Sequence, residues 1–199
     1  MCIRDSITYC REFMSTKKKR DNAPVSLLEE IRTSNPQGDT APCPIIIVTN
    51  TQTFGININN SKQFFIDSYY VDPSQSMDQV ISQPLLINKA LRGRNVCFEV
   101  YDHTIGFSKP QWRRVVAVFV QGPRYQFKDW PNGNDMVSLF LNTKGFYLKY
   151  NDVPVDDNVK RWNVKVLEVH RNKRHLDKTV VNEFWSELEK FLFVPRVKS

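Results

Sequence analysis

Two runs of apolar, mostly β-branched residues constrain the fold of this 199-residue chain more than any other feature. They read Pro44-Ile-Ile-Ile-Val-Thr49 and Val115-Val-Ala-Val-Phe-Val120. Continuous runs of this kind are typical of strands buried on both faces, as in a parallel sheet that helices cover. The two runs therefore predict the central strands of an α/β domain.

Patterns elsewhere in the chain predict the elements that would surround these strands. Further strands are expected at 95–101, 145–150 and 163–169. Residues 179–193 are strongly amphipathic and predict a long helix that packs across one face of the sheet. Alternating apolar strands and helices predict a sandwich of three layers with a mostly parallel sheet.

Two shorter helices and one loop complete the prediction. Residues 58–70 predict a helix that carries Phe64, Phe65 and Tyr69 at helical spacing. Residues 135–142 predict a short helix with Val137, Phe140 and Leu141 on one face. The stretch 72–83 has no periodicity and is predicted to be a surface loop.

Residues 1–42 differ in composition from the remainder and predict a disordered polar linker before a domain at 43–199. The opening hexapeptide, MCIRDS, matches the translated end of a transposon used in sequencing libraries, so we expect residues 1–6 to be an artefact and the natural protein to continue upstream. Lys17–Arg20 is either a nuclear import signal or a solvated basic face. Within the linker, 25–32 predicts two helical turns capped by Ser26.

Charge is unevenly distributed along the chain. Residues 1–99 carry 11 basic and 10 acidic side chains, whereas residues 100–199 carry 17 and 11, a net charge of +6. A basic folded surface favours an anionic partner such as an acidic or phosphorylated peptide or a nucleic acid, although a moderate excess also serves solubility alone. No apolar run approaches the ~18 residues of a membrane helix, and we expect no membrane partner.

The motifs of nucleotide-binding and hydrolytic enzymes are missing. The turn after the first predicted strand, 49–57, has a single glycine, Gly55, and no lysine, which excludes a Walker A loop and a GxGxxG fingerprint. There is no GxSxG elbow, and His103, His170 and His175 lack a nucleophile or further metal ligands. The four cysteines form no zinc-like spacing and are interpreted as reduced thiols. We expect no enzymatic activity, no catalytic residue, and no cofactor or metal, with a degenerate nucleotide-binding domain as the alternative.

Basic residues flank the predicted central strands and form the candidate partner-binding set. Since equivalent ends of parallel strands can converge, these groups could share one edge of the sheet. Arginine binds phosphate bidentately, and lysine acts as a point charge. The candidates are Arg113, Arg114, Lys160, Arg161, Arg171, Lys173 and Arg174. The neighbouring aromatic residues Trp112, Tyr125, Trp130 and Trp162 could add stacking, but Trp130 and Trp162 are better explained as core or loop anchors.

Four motifs occur in order and carry a family resemblance. They are Trp112-Arg-Arg-Val-Val-Ala-Val-Phe-Val-Gln-Gly-Pro123, Gln126-Phe-Lys-Asp-Trp-Pro131, Phe146-Tyr-Leu-Lys-Tyr150 and Lys173-Arg-His-Leu-Asp177. Together they resemble the C-terminal domain of the parafibromin (cell-division-cycle-73) family over roughly residues 43–194, and the stretch 72–94 matches less well.

The resemblance implies a Ras-like α/β fold that has lost its nucleotide-binding loops. It also implies a subunit of the RNA polymerase II-associated factor complex, located in the nucleus, that assists transcription elongation and histone modification. The implied partners are the other subunits of that complex, RNA polymerase II, elongation factors with phosphorylated tails, and chromatin. Direct, weak nucleic-acid binding is a second alternative, although no base-reading motif is present.

Overall fold

A computed structural model describes residues 24–34, 42–75 and 83–196 of the chain. The hexapeptide at 1–6 and the Lys17–Arg20 run lie outside these described residues, so their predicted roles stay predictions.

The centre of the domain is a six-stranded sheet of order β3-β4-β2-β5-β6-β7. Its strands are β2 (Ile45–Ile47), β3 (Leu85–Leu91), β4 (Arg94–Tyr101), β5 (Val115–Phe119), β6 (Lys144–Tyr150) and β7 (Val164–Val169). Every neighbouring pair is parallel except β3 and β4, which pair antiparallel. The two apolar runs are the adjacent central strands β2 and β5, and all residues of both are buried. The predicted mostly parallel α/β sandwich is confirmed.

Three helices cover one face of this sheet. They are α1 (Leu27–Thr33), α2 (Ile58–Lys62), which continues as a π-helical turn over Gln63–Asp67, and α5 (Asp177–Phe193). Asn57 caps α2 in a reciprocal capping box with Asn60. The helix predicted over 58–70 ends earlier than expected, because Ser68 adopts a left-handed conformation with φ 63°.

Phe184 of α5 is the centre of the core on this face. Its ring lies 4.5 Å from that of Phe146 on β6 and 5.5 Å from that of Phe119 on β5, measured between centroids. The Phe65 ring, from the π-helical turn, lies 5.1 Å from that of Phe184. These contacts connect α5, two strands and the turn after α2, and they confirm that the aromatic stripe of α5 is core.

The other face is covered by shorter elements. They include α3 (Lys109–Trp112), α4 (Met136–Asn142) and 3₁₀ turns at Arg124–Phe127 and Val159–Arg161. Phe127, Phe140 and Trp162 pack here, and Trp162 and Trp130 are anchors of this core as expected. The predicted apolar face of α4 is confirmed at Phe140, which is buried with Met136 and Leu139, but it is wrong at Val137 and Leu141, which are 73% and 63% exposed.

The helix predicted within the linker exists and belongs to the folded core. Ser26 accepts a hydrogen bond from the Glu29 N–H at 3.3 Å and caps α1 as expected. Leu28 is 1% exposed and packs, with Ile31, into the core beneath α5. A short antiparallel pair of β1 (Val25–Ser26) and β8 (Pro195–Arg196) joins this segment to the end of the domain.

Among the described residues, we find no helix with both the length and the apolar character needed to cross a membrane.

Because Leu28 is buried beneath α5, Leu28→Ala should lower the free energy of unfolding by about 2–5 kcal/mol. Arg32→Ala, an exposed change on the same helix, is the control and should change it by less than about 0.5 kcal/mol. Urea denaturation followed by tryptophan fluorescence measures both. Equal stability of the Leu28→Ala and parent chains would show that α1 does not contribute to the folded unit.

Candidate functional site

The structure does not bring the predicted basic residues to one edge of the sheet. Arg113 and Arg114 directly precede β5, and Lys160 and Arg161 precede β7, so these four lie towards the amino ends of parallel strands. Arg171, Lys173 and Arg174 follow β7 at its carboxyl end. The six residues of β7 separate the two groups, a rise of about 20 Å.

The Arg114 side chain, in the amino-end group, makes its hydrogen bonds within the domain. Its guanidinium nitrogens donate to the two carboxylate oxygens of Glu99 at 2.8 and 3.3 Å and to the Cys43 carbonyl at 2.6 Å. Its side chain is only 14% exposed. Arg114 precedes β5, and these hydrogen bonds hold the residues just before β2 against β4 and β5. Arg114 therefore has a structural role.

The other amino-end residues are exposed. Lys160 pairs with Asp157 at 2.7 Å across a single 3₁₀ turn, a surface contact that contributes little to stability. The Arg113 and Arg161 side chains lie at the surface. Two of the aromatic residues suggested for stacking, Trp112 and Trp130, pack on one another at 5.1 Å near α3.

At the carboxyl end, two arginines are each held by a carboxylate and an aromatic ring. The Arg171 guanidinium carbon lies 3.8 Å from the centroid of the Tyr150 ring, and its Nε donates to Asp152 at 3.0 Å. That hydrogen bond lowers the pKa of Asp152 below its usual range. Arg174 lies 5.6 Å from the Tyr70 ring centroid, and its Nη2 is 2.9 Å from Asp177.

The two rings beneath the arginines form one aromatic cluster with Phe54. Centroid distances are 6.3 Å from Tyr70 to Tyr150, 4.6 Å from Phe54 to Tyr150 and 5.7 Å from Phe54 to Tyr70. Burial raises the pKa of Tyr70 far above its ordinary value, and it also raises that of Tyr150. Both rings are therefore neutral, electron-rich platforms on which a guanidinium can lie.

Asp177 connects this platform to the long helix. It is the first residue of α5 and is 1% exposed, and it accepts the Tyr70 N–H at 3.0 Å in addition to its contact with Arg174. A carboxylate is favourable at this position because the amino end of a helix carries partial positive charge. Asp177 is thus a positioning residue that holds Arg174 and the turn after α2 in one arrangement.

The guanidinium groups retain donors for a ligand. Arg171 and Arg174 side chains are 52% and 45% exposed. Within the part of the chain that the structure describes, Arg171 uses only Nε and Arg174 only Nη2 in an ion pair. Lys173, between them, is exposed as well. The remaining N–H groups suit an anion with several oxygen acceptors, such as a phosphate.

The turn at 49–57, where a phosphate would bind in a nucleotide-binding α/β domain, has its polar groups bound internally. The Gly55 N–H points to the Tyr70 hydroxyl at 3.3 Å, and Asn57 Nδ2 donates to the Thr51 carbonyl at 2.9 Å. Asn60 Nδ2 donates to the carbonyls of Gly55 and Val71 at 2.9 and 2.7 Å. Phe54, from the same turn, lies on Tyr150. The turn therefore builds the aromatic platform instead of a phosphate cradle.

Sequence reasoning found the two arginines but missed the residues that hold them. Tyr70, Tyr150, Asp152 and Asp177 were not among the candidates. Two signals were available: Tyr150 ends the strand next to the one that Arg171 follows, and Asp177 is an acidic residue in the first turn of a long helix. Tyr70 carried no comparable signal, because it reaches the site through the turn after α2.

Comparisons with known proteins agree on one family. The family described as "RNA pol II accessory factor, Cdc73 family, C-terminal" matches residues 40–191. The Saccharomyces cerevisiae cell division control protein 73 is 34% identical over 164 residues, which cover 81% of this chain and 41% of that protein. The Arabidopsis thaliana CDC73 homologue is 36% identical over 158 residues, which cover 75% of this chain and 38% of that protein.

A solved structure has the same fold. The conserved domain of yeast Cdc73 superimposes with a TM-score of 0.68 at 34% identity, covering 75% of this chain and 96% of that domain. The fold is thus the Ras-like fold that the resemblance implies. The chain spans about two fifths of the length of the two curated relatives described above.

Asp177→Ala should destabilise the domain by about 1–3 kcal/mol, because it leaves the buried Tyr70 N–H without an acceptor and removes a carboxylate from Arg174. Asp152→Ala removes the exposed carboxylate beside Arg171 and is the matched control, with no measurable change expected. Thermal and urea unfolding compare the two variants. If both are as stable as the parent, Asp177 does not hold the site together.

Proposed function

The chain belongs to the Cdc73 family of RNA polymerase II accessory factors, and from this premise we propose that it is a non-enzymatic protein-interaction domain of a transcription elongation factor. In this proposal, it docks the polymerase-associated factor complex to RNA polymerase II elongation machinery and to chromatin in the nucleus. Its partners are the other subunits of that complex and elongation proteins whose segments are acidic or phosphorylated.

One observation carries the proposal: Arg171 and Arg174 lie on neighbouring tyrosine rings at an exposed edge of the sheet. We name these two arginines, with Lys173, the carboxyl-edge site. An arginine that is already fixed by a ring and a carboxylate loses less side-chain entropy when it binds a ligand. Two such groups, close in space, favour a segment that bears phosphate or clustered carboxylates.

Phosphate is the better ligand for this chemistry than a single carboxylate. It has more acceptor oxygens and more negative charge at neutral pH, and guanidinium binds it through two parallel hydrogen bonds. Asp152 and Asp177 already occupy one nitrogen of each arginine, so a ligand must supply acceptors for the remaining nitrogens. A phosphorylated tail with two modified residues would meet both arginines.

The exposed residues at the amino ends of the strands form a second group, Arg113, Lys160 and Arg161. They lie a strand length from the carboxyl-edge site and so belong to a different contact in this proposal, towards the rest of the complex or chromatin. Arg114 is left out of this group, because its guanidinium is bound to the Cys43 carbonyl and to Glu99.

The Arg171→Glu/Arg174→Glu variant should bind phosphorylated polymerase-tail peptides at least about tenfold more weakly than the parent, because each lost charge-assisted hydrogen bond contributes about 1.5–3 kcal/mol. Fluorescence anisotropy with labelled phosphorylated and unphosphorylated peptides measures the affinity. The matched control is Arg113→Glu/Arg161→Glu, which makes the same change of net charge at the amino ends of the strands. It should leave this affinity within about twofold.

Unchanged affinity in the Arg171→Glu/Arg174→Glu variant would reject the carboxyl-edge site. Equal loss in both double variants, together with a steep decline of affinity with salt and no preference for phosphorylated peptide, would favour the nucleic-acid-binding alternative. Circular dichroism of each variant checks that the fold is intact.

A further inference from the structure

Two cysteines occupy corresponding positions on neighbouring segments, Cys97 in β4 and Cys43 just before β2. Ile45 of β2 is the register partner of Glu99 on β4, and the Glu99 N–H donates to the Pro44 carbonyl at 3.0 Å. Two residues before this pair on each chain segment stand Cys43 and Cys97. Because side chains two apart on a strand point to the same face, the Cys97 thiol lies on the side of the sheet that carries Glu99. Cys43 occupies the corresponding position on the neighbouring segment, two residues before Ile45.

The Cα spacing that this placement implies falls within the range for a disulfide. Neighbouring strands are about 4.8 Å apart, and cysteines form a disulfide when their Cα atoms are about 4.4–6.8 Å apart. Both cysteines are free and partly exposed, so a small oxidant can reach them.

The thiols also interact with each other. Burial raises the pKa of Cys43 to about 11, and the Cys97 thiol adds to this through a hydrogen bond and its charge. Glu99 raises the pKa further, while the Arg114 guanidinium lowers it. A raised pKa lowers the fraction of thiolate at neutral pH, which slows the attack on peroxide but does not change its products.

We propose that Cys43 and Cys97 are a dithiol site that a peroxide oxidises to an intramolecular disulfide and that a thiol reductant restores. One thiolate attacks one oxygen of hydrogen peroxide and the O–O bond breaks, so that this oxygen stays on sulfur as a sulfenic acid. The other oxygen leaves as hydroxide and becomes water when it takes a proton. The second thiol then attacks that sulfur, the S–S bond forms, and a second water leaves. Two thiols and one hydrogen peroxide thus give one disulfide and two waters.

The disulfide would connect the segment just before β2 covalently to β4. Arg114 already connects the same two points, because it binds the Cys43 carbonyl and the Glu99 carboxylate. The bond lies at the amino end of the sheet, away from Arg171 and Arg174. Oxidation should therefore leave the carboxyl-edge site unchanged, and this inference does not rest on the proposed function.

The test treats the folded 199-residue chain with hydrogen peroxide, blocks the remaining thiols and maps the linkages by mass spectrometry after proteolysis. We expect a peptide pair that joins Cys43 to Cys97, about 2 Da lighter than the sum of its reduced peptides, and its loss after treatment with dithiothreitol. The chain also contains Cys2 and Cys10, so mixed pairings report a non-specific reaction. The same treatment in guanidinium should give such mixed pairings.

Two variants make the result decisive. Cys97→Ser should abolish intramolecular pairing of Cys43 in the folded chain, and Cys2→Ser/Cys10→Ser should leave the linkage between Cys43 and Cys97 unchanged. Mixed pairings in the folded chain, or separate sulfinic acids without a linkage, would overturn the proposal.

Discussion

The need to cover both faces of the central strands is the constraint on which the rest of this domain depends. β2 and β5 carry apolar side chains on both faces of the sheet, so each face must be covered by its own layer of helices and turns. On one side, Phe184 of α5 meets Phe119 and Phe146, and on the other side Phe127 and Trp162 fill the space beneath short elements. The parallel direction of the strands then separates the loops into two groups, one at each end of the sheet.

That separation determines where function can be located. At the carboxyl ends, the turn after β2 folds back on itself, and Phe54 joins Tyr70 and Tyr150 where a nucleotide-binding domain would hold phosphate. The arginines that follow β7 lie on these rings. The end of the sheet where α/β nucleotide-binding domains hold phosphate is thus built here from aromatic and guanidinium groups, and this arrangement is the basis for the anionic partner proposed above.

Much of the fold could be predicted because it depends on local periodicity. The runs at Ile45–Ile47 and Val115–Phe119 and the stripe of α5 are patterns within single elements. β3 was missed, since its exposed Leu86 breaks the expected alternation, although the two-residue turn at Arg92 and Gly93, both with positive φ, is a hairpin signal. The exposed Val137 and Leu141 were assigned to the core because spacing alone cannot tell which face of a short helix meets the sheet.

The candidate site was predictable only in part, for a related reason. A run of basic residues after β7 is visible in sequence, but the partners of those residues come from three distant segments: Tyr70, Tyr150 and Asp177. The internal role of Arg114 likewise depends on Glu99, which a different strand supplies. Distances between segments decide whether an arginine is a structural ion pair or a binding group, and no local pattern contains them.

The most direct test of the central claim is an NMR titration of the ¹⁵N-labelled chain with a doubly phosphorylated polymerase-tail peptide. The largest chemical-shift changes are expected on the backbone amides of residues 68–72, 150–152 and 170–177. Changes confined to residues 109–114 and 159–161, at the amino ends of the strands, would contradict that claim.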